Sequence, residues 1–316
     1  MKKVGIGCFF IFFIVSVQAQ KDTTITFSGY LETYYAYDFS RPTDNTLPSF
    51  LCSFTRHNEV TLNLGYVKAA YTHSRLRSNL ALMAGTYPNA NLAHETGVFK
   101  NIFEANIGIK MSNKKEWWLD VGVFPSHIGF ESAIGMDCWN LTRSMLADNT
   151  PYYESGVKLT YTSANQRWFF SGLLLNGWQR IQRLQGNKTL AFGHQLTYTP
   201  TPSITLNSSS FIGSNTPDNR MRYFHNFYGK FLLNKRLGCI LGADIGIQES
   251  TVSNYEPWYS FVVIVKYSAS EKLIVATRGE YYSDLHGVMI STSTPNSFQT
   301  YGYSLNLDYR IAKNVI

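Results

Sequence analysis

Charge is what this sequence has least of. Asp, Glu, Lys and Arg make up 16% of its 316 residues, against roughly 25% in an ordinary soluble domain. Apolar residues do not fill the gap, standing at 44%. Aromatics, at 15%, and uncharged polar residues do. That mixture disfavours a soluble enzyme and suits strands with one face in lipid and the other in water. No basic cluster carries interleaved aromatics, so nucleic acid is not implied. The seven histidines are scattered, and no close His or Cys spacing indicates a metal site or cofactor. No internal repeat near 40 residues supports a propeller. Beyond the N-terminus no apolar run has the length of a membrane helix, so any crossing of a bilayer falls to strands.

The N-terminus reads as a secretory signal. Lys2 and Lys3 precede the apolar "VGIGCFFIFFIV", and Val17-Gln18-Ala19 gives a small-x-small cleavage site. The run is shorter than the roughly 20 residues that span a bilayer. Cys8 precedes its greasiest part, which disfavours a lipoprotein. The expected division is a signal over 1–19 and a mature chain over 20–316, whose net charge falls from +7 to about +5.

What is present is alternation. In "YGYSLNLDYR" (301–310), Tyr301, Tyr303, Leu305, Leu307 and Tyr309 oppose Ser304, Asn306, Asp308 and Arg310. Ile25, Phe27, Leu31 and Tyr35 oppose Thr26, Ser28 and Glu32. Val60, Leu62, Leu64 and Tyr66 oppose Glu59, Thr61 and Asn63. Phe103, Ala105, Ile107 and Ile109 oppose Lys100, Glu104, Asn106 and Lys110. "WWLDVGV", "SGVKLTY", "LGCILGADIGIQ" and "IVATRGEYY" repeat the pattern, and strands near 166–176, 189–199 and 222–233 follow from spacing.

Short turns such as 112–115, 163–166 and 268–271 alternate with longer polar loops near 38–54, 87–98, 126–152, 177–188, 213–221, 249–255 and 283–296. The fold expected is all-β: an antiparallel, up-and-down transmembrane β-barrel of about fourteen strands in a bacterial outer membrane. Tyr35, Tyr66, Trp117, Tyr161, Tyr267 and Tyr309 would form interfacial girdles. A soluble β-sandwich also alternates, but carries more charge on its polar face. A barrel must close, and with an even strand number. Either it closes at fourteen, or a missing final hairpin makes sixteen.

The polar face supplies candidate lumen residues of both signs: Glu104, Asp120, Asp244, Glu280 and Asp308 against Lys100, Lys158, Arg278 and Arg310. A balanced interior gives a transverse field and weak selectivity, whereas a ring of one sign would select strongly. The same charges could simply pair and stiffen the wall. Cys52 and Cys138 fall in external loops of an oxidising compartment, where a bridge between them is one option. Ser126-His127 is the best local pair for a hydrolase, but neighbours on an extended chain point opposite ways.

The stretch 117–161 resembles the central segment of the OmpL-like (porin-2) family of β-barrel porins. The resemblance rests on Asp120, Gly122, Phe124, Ser126, Gly129, Glu131, Asn140, Thr142-Arg143-Ser144, Pro151-Tyr152 and Gly156, with Asn176-Gly177-Trp178 further on. It implies an outer-membrane channel. By analogy with porins, loop 126–152 is expected to fold inward, with Glu131, Asp137, Arg143 and Asp148 at a constriction. The function expected is passive diffusion of small hydrophilic solutes, weakly charge-selective, with the loop limiting size and no catalysis. The alternatives are a non-conducting surface barrel that binds a partner through its long loops and, third, an outer-membrane hydrolase. Partners expected are outer-membrane lipid, small polar solutes and the barrel-assembly machinery. Flat aromatic outer faces would permit homo-oligomers.

Overall fold

The computed structural model describes residues 23–294, 297–312 and 315–316, and the expected signal lies outside them. Fourteen strands follow in chain order: β1 (Thr24–Tyr35), β2 (Val60–Thr72), β3 (Leu76–Ala84), β4 (Ile102–Lys110), β5 (Glu116–Pro125), β6 (Tyr153–Thr162), β7 (Trp168–Leu175), β8 (Ala191–Thr201), β9 (Ile204–Ser214), β10 (Met221–Leu232), β11 (Leu237–Glu249), β12 (Tyr255–Ser268), β13 (Leu273–Asp284) and β14 (Phe298–Tyr309). Each pairs antiparallel with the next, in one sheet ordered β1 to β14. The short connections, 73–75, 111–115, 163–167, 202–203, 233–236 and 269–272, all lie at one end. The loops lie at the other, which in outer-membrane barrels faces outward. Two loops expected to be long are tight: 215–220 and 250–254.

The faces separate as alternation demands. Leu305, Leu241 and Val121 are 74%, 47% and 46% exposed on the outer wall, while Asp244 and Asp120 are buried inside. Outward aromatics stack across strands near the short turns, Trp117 on Tyr161 at 4.6 Å and Trp168 on Tyr198 at 4.1 Å. A second belt, Tyr259–Tyr281–Tyr301, lies nearer the loops. Such cross-strand pairs each contribute roughly 0.2–1 kcal/mol.

Two bulges overturn part of the expected facing. Glu32 pairs with Leu64 and Thr33 with Leu62, leaving Asn63 as an extra residue. The parity of β2 flips there. Leu64 is fully buried inside, and Tyr66 stacks on Phe103 at 4.9 Å on the inner wall instead of joining a girdle. Phe103 turns inward because Ala81 pairs with Glu104 but Leu82 with Ile102.

The interior is also drier than expected. Toward the loop end, Phe124, Leu173, Leu175, Phe211, Phe224, Trp258, Tyr282 and Phe298 point inward and pack with Trp178 and Ile290 from the loops. Loops folded over the mouth give these side chains the surroundings of a soluble core. Among the described residues no ladder joins β14 to β1, so of the two alternatives closure at fourteen strands is not the one seen.

The candidate constriction

Loop 126–152 leaves the top of β5, and its base is pinned by Ser126 N–H donating to Tyr152 O at 3.0 Å. From there it runs along the inner wall. Ser209 Oγ of β9 donates to His127 O at 2.8 Å. Gly129 N donates to Asn226 of β10 at 3.3 Å. Asn140 and Leu141 N donate to Ser304 and Asn306 of β14 at 3.2 and 3.0 Å. Arg278 of β13 donates to Thr142 O at 2.5 Å. Met145 N reaches Glu280 at 2.7 Å, and Met136 N reaches Tyr30 Oη of β1 at 3.4 Å.

Glycines on the wall make these approaches feasible. A Cβ at Gly193 would stand 2.6 Å from His127 Nε2, one at Gly242 2.7 Å from Phe130, and one at Gly238 2.6 Å from Trp139. Each loop side chain sits where the wall has none. Trp139 is further gripped by the amines of Lys266 and Lys230, at 4.4 and 5.4 Å from its ring, a cation–π arrangement.

The loop is braced internally. Arg143, 1% exposed, donates to the carbonyls of Ser132, Leu141 and Ala133 at 2.7, 2.7 and 3.1 Å. Glu131 accepts from Ser144 N at 3.0 Å and from the Ser144 hydroxyl. Ser144 also caps the short helix α2 (Met145–Asp148) through Ala147 N. Arg143 and Glu131 are thus braces of the loop's shape. Asp137 lies in a 3₁₀ turn, Gly135–Asp137, and shares a cavity of about 380 Å³ with Glu104, Glu131, Phe103, Phe130 and Tyr228.

Asp148 joins two loops: it accepts from Cys52 N of loop 36–59 at 3.2 Å and from Tyr152 Oη at 2.9 Å. Burial pushes its carboxyl up to about 7, against the opposing pull of the Tyr152 and Cys52 donors. The folded loop therefore prefers the neutral acid. Stability from this group is complete below its ordinary range near 4 and is lost as pH rises through about 7. Protease protection of the wild-type loop should fall between about pH 4 and about pH 7, and Asp148→Asn should flatten that dependence.

The remaining candidates divide. Glu104 pairs with Lys68 at 2.8 Å, and Asp120 takes both arms of Arg77 at 2.7 and 2.5 Å. Arg278 pairs with Glu280 at 2.9 Å. Asp244 accepts from Asn226 at 2.5 Å and Asp308 from Asn306 at 2.6 Å. Lys158 lies over Phe124 at 4.3 Å. Two are misplaced by sequence. Lys100 belongs to a 3₁₀ turn of loop 85–101, Gly97–Asn101, and Arg310 follows the end of β14 and is exposed. The Cys52–Cys138 bridge is absent. Cys52 Sγ donates to Asp148 O at 3.6 Å, while Cys138 Sγ donates to Ser132 O at 3.4 Å. The inward fold of the loop places Cys52 on the carbonyl of Asp148 near the loop's end, while Cys138 stays with Ser132. Ser126 and His127 do not form a hydrolytic pair either. His127 Nε2 bonds Ser210 O at 2.8 Å, and burial lowers the ring's pKa to about 4.

An up-and-down antiparallel wall, greasy outside and threaded by a loop within, defines an outer-membrane β-barrel of the porin type. The chain matches the family described as "Putative beta-barrel porin-2, OmpL-like" over residues 24–316 and belongs to it. No curated protein matches it in sequence. Among solved structures it is similar to OmpF of Salmonella typhi, with TM-score 0.54, 10% identity and coverage of 92% of this chain and 87% of that one. It is similar also to the outer membrane channel DcaP of Acinetobacter baumannii, with TM-score 0.54, 10% identity and coverage of 94% and 89%. At such identity the likeness is one of fold. Family and fold place the protein in the outer membrane.

Proposed function

We propose that the protein is a diffusion channel for small hydrophilic solutes whose width is limited by loop 126–152. The observation that carries this reading is the seating of one loop against β9, β10, β13, β14 and β1 inside the wall. A loop held by so many strands narrows the lumen. Selectivity is weak, because wall charges largely neutralise one another as Lys68–Glu104, Arg77–Asp120 and Arg278–Glu280. The remaining field runs across the passage, from the acids Glu131 and Asp137 around one cavity to the amines of Lys230 and Lys266 around Trp139. A transverse field orients a passing dipole but favours neither sign of ion.

The full chain in planar bilayers should give ohmic steps, with a reversal potential close to zero under a salt gradient. A barrel that inserts but never conducts would defeat the reading. It would favour a surface barrel that binds a partner through its loops, a role suited to the apolar packing at the mouth.

A further inference from the structure

The charge of this barrel is distributed unevenly between its two ends. The loop-end connections carry equal numbers of acidic and basic residues. The short turns carry Arg75, Lys114, Lys115, Arg167, Lys235, Arg236 and Lys272 against Glu271 alone. All seven basic residues are exposed, and none takes part in an ion pair among the described residues. The net positive charge of the protein is thus gathered on one rim.

The depth of that rim is fixed by the aromatics beside it. Lys115 is two residues from Trp117, and Arg167 directly precedes Trp168. Leu237, next to Arg236, pairs with Tyr267. Outward Trp and Tyr mark the boundary between hydrocarbon and headgroups. At about 3.3 Å per residue, the cations stand within about 7 Å of that boundary. Their long stems can reach along it while the charged ends stay in water. Turns this short cannot carry the charges away from the membrane toward a distant partner.

We infer that the short-turn rim is a binding collar for anionic phospholipid headgroups of the periplasmic leaflet. Phosphate is the complementary group at that depth, and Lys and Arg near a membrane surface attract anionic lipid within a Debye length. The loop end, being charge-balanced, lacks this preference.

The test uses the full chain in detergent, titrated with phosphatidylglycerol or phosphatidylcholine and read by native mass spectrometry. Wild type should retain phosphatidylglycerol preferentially, less so as salt rises. Replacing Lys114, Lys115, Lys235 and Arg236 together by Gln should weaken that preference at least about tenfold. Two controls should leave it intact: Arg at the three lysine positions, and Gln at Arg41, Arg183 and Lys188 of the loop end. Equal retention of the two lipids by wild type would overturn the inference, as would a preference that survives the Gln variant or is lost equally in the loop-end control. Retention on isolated peptidoglycan that needs the same four cations, without any preference between lipids, would also overturn it and assign the rim to an acidic polymer.

Discussion

Excising residues 131–143 and joining the ends with a short Gly–Ser link should raise single-channel conductance several-fold. The excised segment holds Trp139, Asn140 and Leu141, which reach the amines of Lys230 on β10 and Lys266 on β12 and reach β14, and Arg143, which braces the rest. Without it, the polar residues of the wall's lower half line an open passage. A smaller change tests the same contact from the other side. A Cβ at Gly238 would stand 2.6 Å from the Trp139 ring, so Gly238→Val should displace the loop tip and raise conductance part of the way. Unchanged conductance in both variants would mean that the current is limited elsewhere, and the apolar packing under the mouth would then be the barrier.

Arg77→Ala should destabilise the barrel by about 2–3 kcal/mol, measured by denaturant unfolding in vesicles. Asp120 leaves only 5% of its side chain exposed, and Arg77 covers it with two hydrogen bonds across the width of β4. The bridge is possible because Gly108 lies between them, where a Cβ would sit 2.1 Å from the Asp120 carboxylate. Removing the guanidinium strands a buried charge. The effect stays below the top of the range for broken buried pairs because Arg77 keeps 35% of its side chain exposed. Arg77→Ala combined with Asp120→Asn should recover most of the loss, since the isolated carboxylate is its source. Arg77→Lys should lie between, having the charge but not the two-pronged geometry.

The strand count and the two-faced wall were legible because most strands have sharp contrast between their faces. β11 and β14 read correctly residue by residue: Leu241 and Leu305 are outside, Asp244 inside. The reading failed at Leu64, Tyr66 and Phe103, where one extra residue in a strand reverses parity and no residue type announces it. It also missed the inward apolar set of β7, β9, β10 and β12. Leu173, Phe224 and Trp258 alternate with other apolar residues, Leu174, Phe227 and Tyr259 among them, so hydropathy gave no contrast between the faces. The loop's inward path was suggested by likeness to porins and by the small and apolar residues of 124–135. The seats themselves, Gly193, Gly238 and Gly242, stand openly in the sequence, but which ring lies on each depends on contacts far apart along the chain. Arg143 and Asp148, expected at a constriction, serve the loop's own bracing and its join with loop 36–59.

Tyr30 and Ser304 belong to the two strands that border the gap in the wall, and both grip the same loop. Loop 126–152 therefore also links the first strand of the sheet to the last. Under the proposed role, any relaxation of its hold to admit larger molecules would also loosen that link. The proposed role would thus tie permeability to the joining of the edge strands, and neither could be tuned alone.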